Sequence, residues 1–412
     1  MDFEIPADIR SKLAELDEFI EKEIRPLERE HMQYFDKRRE WARTDWENDG
    51  RPRHEWEALL AEMRRRADRV GHLRFALPRE LGGQGGSNLA MAVIREHLAA
   101  KGLGLHNDLQ NESSIVGNFP FVHIFHALGT PEQKREFLED MITGRKRVAF
   151  GLTEPNHGSD ATWLETTARR DGDDWVINGV KRFNTGLHDA THDVVFARTS
   201  GKAGDAKGIT AFIVPTDTPG LSVDFMWWTF NMPSDHPEVT LKDVRVPRSS
   251  ILHIEDEGLT VAQFFVHENR IRQAASSLGA AQYCIRESVT YAKSRNTWGK
   301  PLAVNQAIQF PLVELETEAE MIRNLIYKTA ALMDECGHME VTHLVSMSNY
   351  RANRLVCQAA DTAIQVHGGI GYSRHLPFEH IYRHHRRYRI TEGSEEIQMR
   401  RIAAKMFGFG GR

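Results

Sequence analysis

Gly151-Leu152-Thr153-Glu154-Pro155-Asn156-His157-Gly158-Ser159-Asp160 stands where the texture of this chain changes. Upstream, Ile9, Leu13, Leu16, Ile20 and Ile24 repeat at helical spacing and predict one apolar stripe. Thr130-Pro131-Glu132-Gln133 carries the residues of a capping box, with Pro at the first helical position. From about Val148 to Leu252 the pattern turns short and strand-like. Trp175-Val176-Ile177 runs into Asn178-Gly179, a pair that predicts a hairpin turn. Asp193–Ala197 and Ile209–Val214 read as strands, the second ended by Pro215. After Gly258 the helical period returns. Ile308, Leu312, Leu315, Ala319, Ile322 and Ile326 form one core stripe, and Leu344, Met347, Leu355, Ala359 and Val366 form another. The expectation is a mainly α protein with a central β domain: helical 1–147, β 148–256 and a helical bundle 257–412.

The bulk numbers narrow the function classes. With 412 residues, 41% hydrophobic and 27% charged, the chain can bury a substantial core. A net charge of −5 gives no basic excess for nucleic acid or an anionic membrane. Cys284, Cys336 and Cys357 are far apart and in no metal or disulfide spacing, which predicts a reducing, cytoplasmic setting. The start, MDFEIPADIR, does not read as a signal peptide, and no apolar run is long enough to span a bilayer. Gly82-Gly83-Gln84-Gly85-Gly86 fits neither a dinucleotide fingerprint nor a P-loop. No H-E-x-x-H or G-x-S-x-G occurs, and no metal site is expected.

Five segments could carry chemistry, and each has a plainer reading beside it. The Gly151–Asp160 stretch lets backbone approach a ligand, or it is an ordinary turn. Lys181-Arg182-Phe183-Asn184-Thr185-Gly186 offers a ring and a hydroxyl to a planar heterocycle, or it is a strand end. In Ser294-Arg295-Asn296-Thr297-Trp298-Gly299, Arg295 could clamp a pyrophosphate; the loop could equally only join two helices. Gln365-Val366-His367-Gly368-Gly369-Ile370-Gly371-Tyr372 reads as a tight helix end. Thr391-Glu392-Gly393-Ser394-Glu395-Glu396-Ile397-Gln398 places a carboxylate at a helix start, where Ser394 could simply be the cap. The basic run Arg383–Arg389, with His384-His385, reads as a solvated or intersubunit helix face, with help in holding an anionic ligand as the alternative, and the aromatic stretch Met226–Asn231 reads by default as interior packing, with the wall of a pocket or an interface as the alternative.

Taken in order, these segments resemble the acyl-CoA dehydrogenase family along nearly the whole chain. The resemblance runs from Leu77-Pro78-Arg79-Glu80-Leu81-Gly82-Gly83 through GLTEPNHGSD and HGGIGY to TEGSEEIQ. It implies an N-terminal helical domain, a middle β-barrel-like domain, a C-terminal four-helix bundle, FAD as cofactor and an acyl-CoA substrate. It implies FAD contacts from Leu152, Thr153, Ser159, Phe183 and Thr185. Arg295, Trp298, Gln306, Gln365 and Gly369 would reach a neighbouring subunit's FAD, and Ser394 and Glu396 would touch it again. Ser159, Arg270, Glu392 and Gly393 would meet the substrate, Arg270 near the CoA entrance. Relatives often carry Trp at Phe183, a large residue at Thr391, an acidic residue at His384 and Gln at Glu396. A homo-oligomer, typically a tetramer, and an electron-transfer flavoprotein as electron acceptor are further expectations of the resemblance.

By the same resemblance Glu392 is the catalytic base. The chemistry needs a carboxylate there. A thioester α-proton is weakly acidic, and a Glu whose pKa is raised by burial can accept it near neutral pH. The developing enolate needs donors at the carbonyl oxygen, and the β-hydride goes to the flavin. Glu268 is the rival base, one residue off the position some relatives use; a one-residue shift turns a helical side chain by about 100°. Rival functions are a flavin oxidase or monooxygenase on the same scaffold, and a non-catalytic relative that binds acyl-CoA or nucleic acid.

Overall fold

A computed structural model describes residues 4–108, 113–337 and 339–409, with Glu268 described by its backbone alone. The residues gather into two compact units. One holds Met1–Ala42, Glu62–Asn118 and His267–Arg412; the other holds Arg43–Ala61 and Phe119–Val266. The protein is mainly α with a central β region, as its patterning predicts. Chain order and spatial grouping differ, because first-third and last-third helices share one unit.

The helices of the first unit include α1 (Ala7–Phe19), α2 (Asn88–Ala99), α3 (Gly258–Ser294, in this unit from His267), α4 (Gln306–Cys336), α5 (Thr342–His367), α6 (Phe378–Arg386) and α7 (Glu395–Phe407). The expected α4 stripe is core: Leu312, Leu315, Ala319, Ile322 and Ile326 join Leu278 and Cys284 of α3, Leu355 and Ala359 of α5 and Phe378 of α6 in one cluster. Each fully buried Leu, Ile or Phe there contributes about 1.5–3 kcal/mol of transfer free energy, which outweighs the modest helix propensity of Ile and Phe. The basic run is a correction. His380, His384 and His385 of α6 are buried, so this helix turns its histidine face inward. Arg383 is tied down by ion pairs with Glu40 and Glu379.

The strands of the second unit are β1 (Val148–Gly151), β2 (Thr167–Asp171), β3 (Asp174–Arg182), β4 (His192–Arg198), β5 (Ile209–Pro215), β6 (Leu221–Met226), β7 (Pro237–Pro247) and β8 (Ile251–Leu252). They make one sheet in the order β8-β5-β4-β2-β3-β7-β6, with β1 pairing parallel to β4. Trp175, Ile177, Val195, Phe212, Val214, Leu241 and Val246 build its core. The capping box at Thr130 is present, its hydroxyl accepting from Gln133 N and its own N–H donating to Gln133 Oε1.

Asn178-Gly179 is not a hairpin turn. Both residues lie inside β3, at a register shift against β7 between Ile177 and Gly179. Asn178 exchanges two bonds with Asp243, and a side chain on Gly179 would collide with Thr166. The pair therefore makes a bulge against a close neighbour. The true turn is Gly172-Asp173, between β2 and β3. The aromatic stretch also departs from expectation: Trp228 and Phe230 are exposed, with Trp228 edge-on to Trp46 at 5.6 Å.

Candidate functional site

The decisive segment follows β1, whose pairing with β4 delivers Leu152–His157 to one end of the sheet. The Arg182 N–H donates to the Thr153 carbonyl at 2.8 Å, so this loop runs beside the end of β3. Phe183 there has φ of +64°, which lifts its ring out of the strand and leaves it 44% exposed. Its N–H donates to the Pro237 carbonyl at 2.9 Å, and Trp227 and His236 flank the ring at 6.0 and 6.3 Å. Thr185 is exposed beside it, its Oγ1 3.1 Å from His236 Nδ1. Ser159 is exposed on the same loop as Thr153. An open ring face flanked by hydroxyls suits one face of a planar heterocycle with a polar edge, so these residues fit a flavin.

Underneath lies a charged clamp that sequence reading did not identify. Lys181 Nζ donates to Glu154 Oε1 at 2.7 Å and to the Leu152 carbonyl at 3.3 Å. The same carboxylate accepts from the Thr166 N–H at 2.9 Å and from the Glu165 N–H. Both side chains are buried. Burial pushes the Glu154 carboxyl up, but Lys181 and the two N–H groups outweigh it and hold it below its ordinary value. Asp193, buried nearby, goes the other way. Burial raises it to about 7, against the opposing pull of Asn184, whose Nδ2 donates at 2.5 Å, and of Lys181. Glu154 was legible as part of the motif; its role was not, because the lysine that meets it lies 27 residues on.

In the helical unit the turn before α7 carries Glu392 in the left-handed region, φ +56°, followed by Gly393 at +84°. Such a conformation costs a non-glycine residue about 1 kcal/mol or more and persists where the surroundings impose it. The buried Arg270 imposes it here. Its Nε and Nη2 donate to the Glu392 carbonyl at 2.9 and 2.5 Å. A Cβ on residue 393 would sit 2.7 Å from Arg270 Nη2, so only glycine admits the guanidinium. Gln398 Nε2 donates to the Gly393 carbonyl at 2.9 Å and to Asn349 Oδ1 at 3.0 Å. Asn349 Nδ2 in turn donates to the Arg270 carbonyl at 2.8 Å, closing a ring of bonds around the turn. Burial and the nearby Arg401 bring Arg270 down to about 10, so it stays charged at neutral pH. Gln398 and Asn349 are site residues that the pattern did not reveal, each hidden among helical polar positions.

The other expected residues lie elsewhere in the helical unit. Asn296–Thr297 and Lys300–Pro301 pair as a hairpin whose tip, Trp298-Gly299, has positive φ at both positions. Trp298 is 97% exposed, and Arg295 and Gln306 are exposed as well. Gln365 and Gly369 are exposed at the end of α5. Tyr291 stacks on His367 at 4.3 Å, which brings that end of α5 close to the hairpin. Ser394 is at the N-cap position of α7 but its side chain makes no capping bond. Glu395 instead binds Arg354 and Arg389, which hold it at about 2, and Glu396 is exposed. Arg270 is buried behind the Glu392 turn. The Glu268 side chain lies outside the described residues. Among the described residues no cluster of His, Cys, Asp or Glu could hold a metal, and no helix is long and apolar enough to cross a membrane.

Three family models match in chain order: the acyl-CoA dehydrogenase N-terminal domain over residues 8–145, the middle domain over 149–244 and the C-terminal domain over 256–407. The chain is 37% identical to a 3-(aryl)acrylate reductase of Clostridium sporogenes over 82% of this chain and 87% of that one. It is 33% identical to the mitochondrial short-chain specific acyl-CoA dehydrogenase of Bos taurus over 82% and 80%. Its fold matches the butyryl-CoA dehydrogenase of Megasphaera elsdenii with a TM-score of 0.79 and 28% identity, covering 99% of this chain and 100% of that one.

Proposed function

The chain belongs to the acyl-CoA dehydrogenase family, and on that premise we propose that it removes hydrogen across the Cα–Cβ bond of an acyl-CoA, with FAD as cofactor and Glu392 as base. The observation that carries this reading is the Glu392 turn: a left-handed glutamate whose carbonyl is held by a buried arginine. Glu392 accepts the α-proton at a carboxylate oxygen. Arg270, Gln398 and Asn349 are positioning residues that keep the turn in its strained form. The Glu392 N–H donates to the thioester oxygen as negative charge develops there. Bound FAD supplies the acceptor for the β-hydride. Leu152, Thr153, Phe183 and Thr185 would hold its ring, Ser159 its pyrophosphate side together with the substrate, and Ser394 and Glu396 a further edge. Arg295, Trp298, Gln306, Gln365 and Gly369 would serve the cofactor of a second copy, which makes the working enzyme a homo-oligomer. An electron-transfer flavoprotein is the proposed electron acceptor.

A second reading runs the same chemistry backwards, reducing an α,β-unsaturated acyl group. The 37% identity to a protein named as an acrylate reductase favours it. An anaerobic titration of the purified protein with acyl-CoAs, following the visible flavin spectrum, separates the two. Bleaching by a saturated thioester supports dehydrogenation. Reoxidation of the reduced protein by an enoyl thioester, with no bleaching by saturated ones, supports reduction. A yellow protein inert to both would overturn the substrate class.

A further inference from the structure

Asn184 stands between Phe183 and Thr185, the two exposed side chains that offer a ring and a hydroxyl at the end of β3. Its own side chain turns inward and is fully buried. Asn184 Nδ2 donates to Asp193 Oδ2 at 2.5 Å, and Asp193 is fully buried as well. Gly151, from which the Leu152–His157 loop leaves β1, lies against the pair. A Cβ there would sit 2.8 Å from both Asn184 Nδ2 and Asp193 Oδ2. The pair is thus wedged behind both segments read above as the flavin platform. One atom of each partner is left over: Asn184 Oδ1 and Asp193 Oδ1 are buried and have no hydrogen-bond partner. Both are acceptors while Asp193 is ionised, so neither can serve the other. One proton on Asp193 supplies a donor and removes a buried charge.

Little around Asp193 opposes that proton. Its register partners on β1 and β5 are Ala149 and Val214, which bring no charge. His192, next to it on β4, faces the other side of the sheet by strand alternation and packs edge-on against Phe137 at 4.9 Å. Lys181 of β3 is the charged group that acts on Asp193 among the described residues, and it is already bonded to Glu154. Burial therefore prevails over Asn184 and Lys181 and lifts Asp193 to about 7. A carboxyl poised there changes charge in answer to a modest change in local field. Accepting a hydride makes a bound flavin one unit more negative, and a like charge nearby disfavours an ionised carboxylate. Asp193 can answer by taking one H⁺ from solvent, which moves no electrons and offsets the added charge.

Resting on the flavin reading above, we propose that the Asn184–Asp193 pair is a charge-balancing element of the flavin site, in which Asp193 acts as a positioning residue through Asn184 and binds a proton as the cofactor is reduced. The test is the midpoint potential of the FAD-loaded protein from pH 6 to pH 9, for wild type and Asp193→Asn. The amide keeps the shape of the carboxyl and takes up no proton. The wild-type potential should fall more steeply with pH than the variant's above pH 7, by up to about 30 mV per pH unit, which is what one proton per tenfold change in concentration gives in a two-electron couple. Asn184→Leu is the second variant. It removes the bond that favours the ionised carboxylate, so the steep region should move to higher pH. Parallel potentials in wild type and Asp193→Asn, or a steep region unmoved by Asn184→Leu, overturn the charge-balancing role while the flavin reading stands. A wild-type protein that takes up no FAD overturns both.

Discussion

Two loops of this molecule are held by buried cations, and they are held differently. In the β unit Lys181 meets a full carboxylate, Glu154, and the ion pair pins the Leu152–Glu154 backbone. In the helical unit Arg270 meets the dipole of the Glu392 carbonyl, braced by the amides of Asn349 and Gln398 and with Arg401 nearby. An ion pair in low dielectric is strong only while both partners remain, and losing one leaves an uncompensated buried charge. A guanidinium on a carbonyl is weaker but fits a turn that must carry an unusual backbone conformation. The first arrangement suits a rigid platform, and the second suits the placing of a single reacting group.

Substitutions sharpen that contrast. Glu392→Gln should have the largest effect on rate, lowering flavin reduction by about 10²–10⁴-fold in stopped-flow traces with FAD content unchanged; near-normal reduction would mean that the base is elsewhere. Glu154→Gln strands the Lys181 charge and should cost about 3–5 kcal/mol of stability in denaturant unfolding. Adding Lys181→Met should recover much of that loss. Equal stability of Glu154→Gln and wild type would show that the clamp is not an energetic unit. Arg270→Gln should be milder for folding and slow flavin reduction by about ten- to a hundredfold, with Arg270→Lys intermediate. A loss of FAD rather than of rate in Arg270→Gln would assign the arginine to the cofactor platform.

A fourth test concerns pH. Asp193 is raised from 3.8 to about 7 in the folded protein. Between those values the folded state keeps a proton that the unfolded state has released. Its contribution to stability therefore falls as pH rises from about 4 to about 7 and is level above that. Asp193→Asn removes the slope, so the melting-temperature difference between variant and wild type should grow in the variant's favour from pH 5 to pH 8. A constant difference would show that Asp193 is ionised throughout.

Periodicity and motif order made much of this legible. The apolar stripe from Leu312 to Ile326 is core because an amphipathic helix has one way to bury such a face. The Thr130 box worked because capping is settled within four residues. Readings failed where a distant partner overruled a local signal. Asn178-Gly179 became a bulge because Asp243 and Thr166 close on it from other parts of the unit. The His384-His385 run looked solvated because nothing local shows which helix face turns inward.

The amino-acid order alone determined the succession of helical, β and helical segments, the family resemblance and the position of Glu392 within it. Each rests on interactions or patterns that span a few residues. Only the tertiary structure decided that Lys181 clamps Glu154, that Arg270 sits behind Glu392, and that Arg95 and Arg272 face one polar cavity. The two bonds join residues 27 and 122 positions apart, and the cavity is walled by residues 177 positions apart. Whether a buried charge is met at such a separation depends on how the core closes around it, and no local pattern records that.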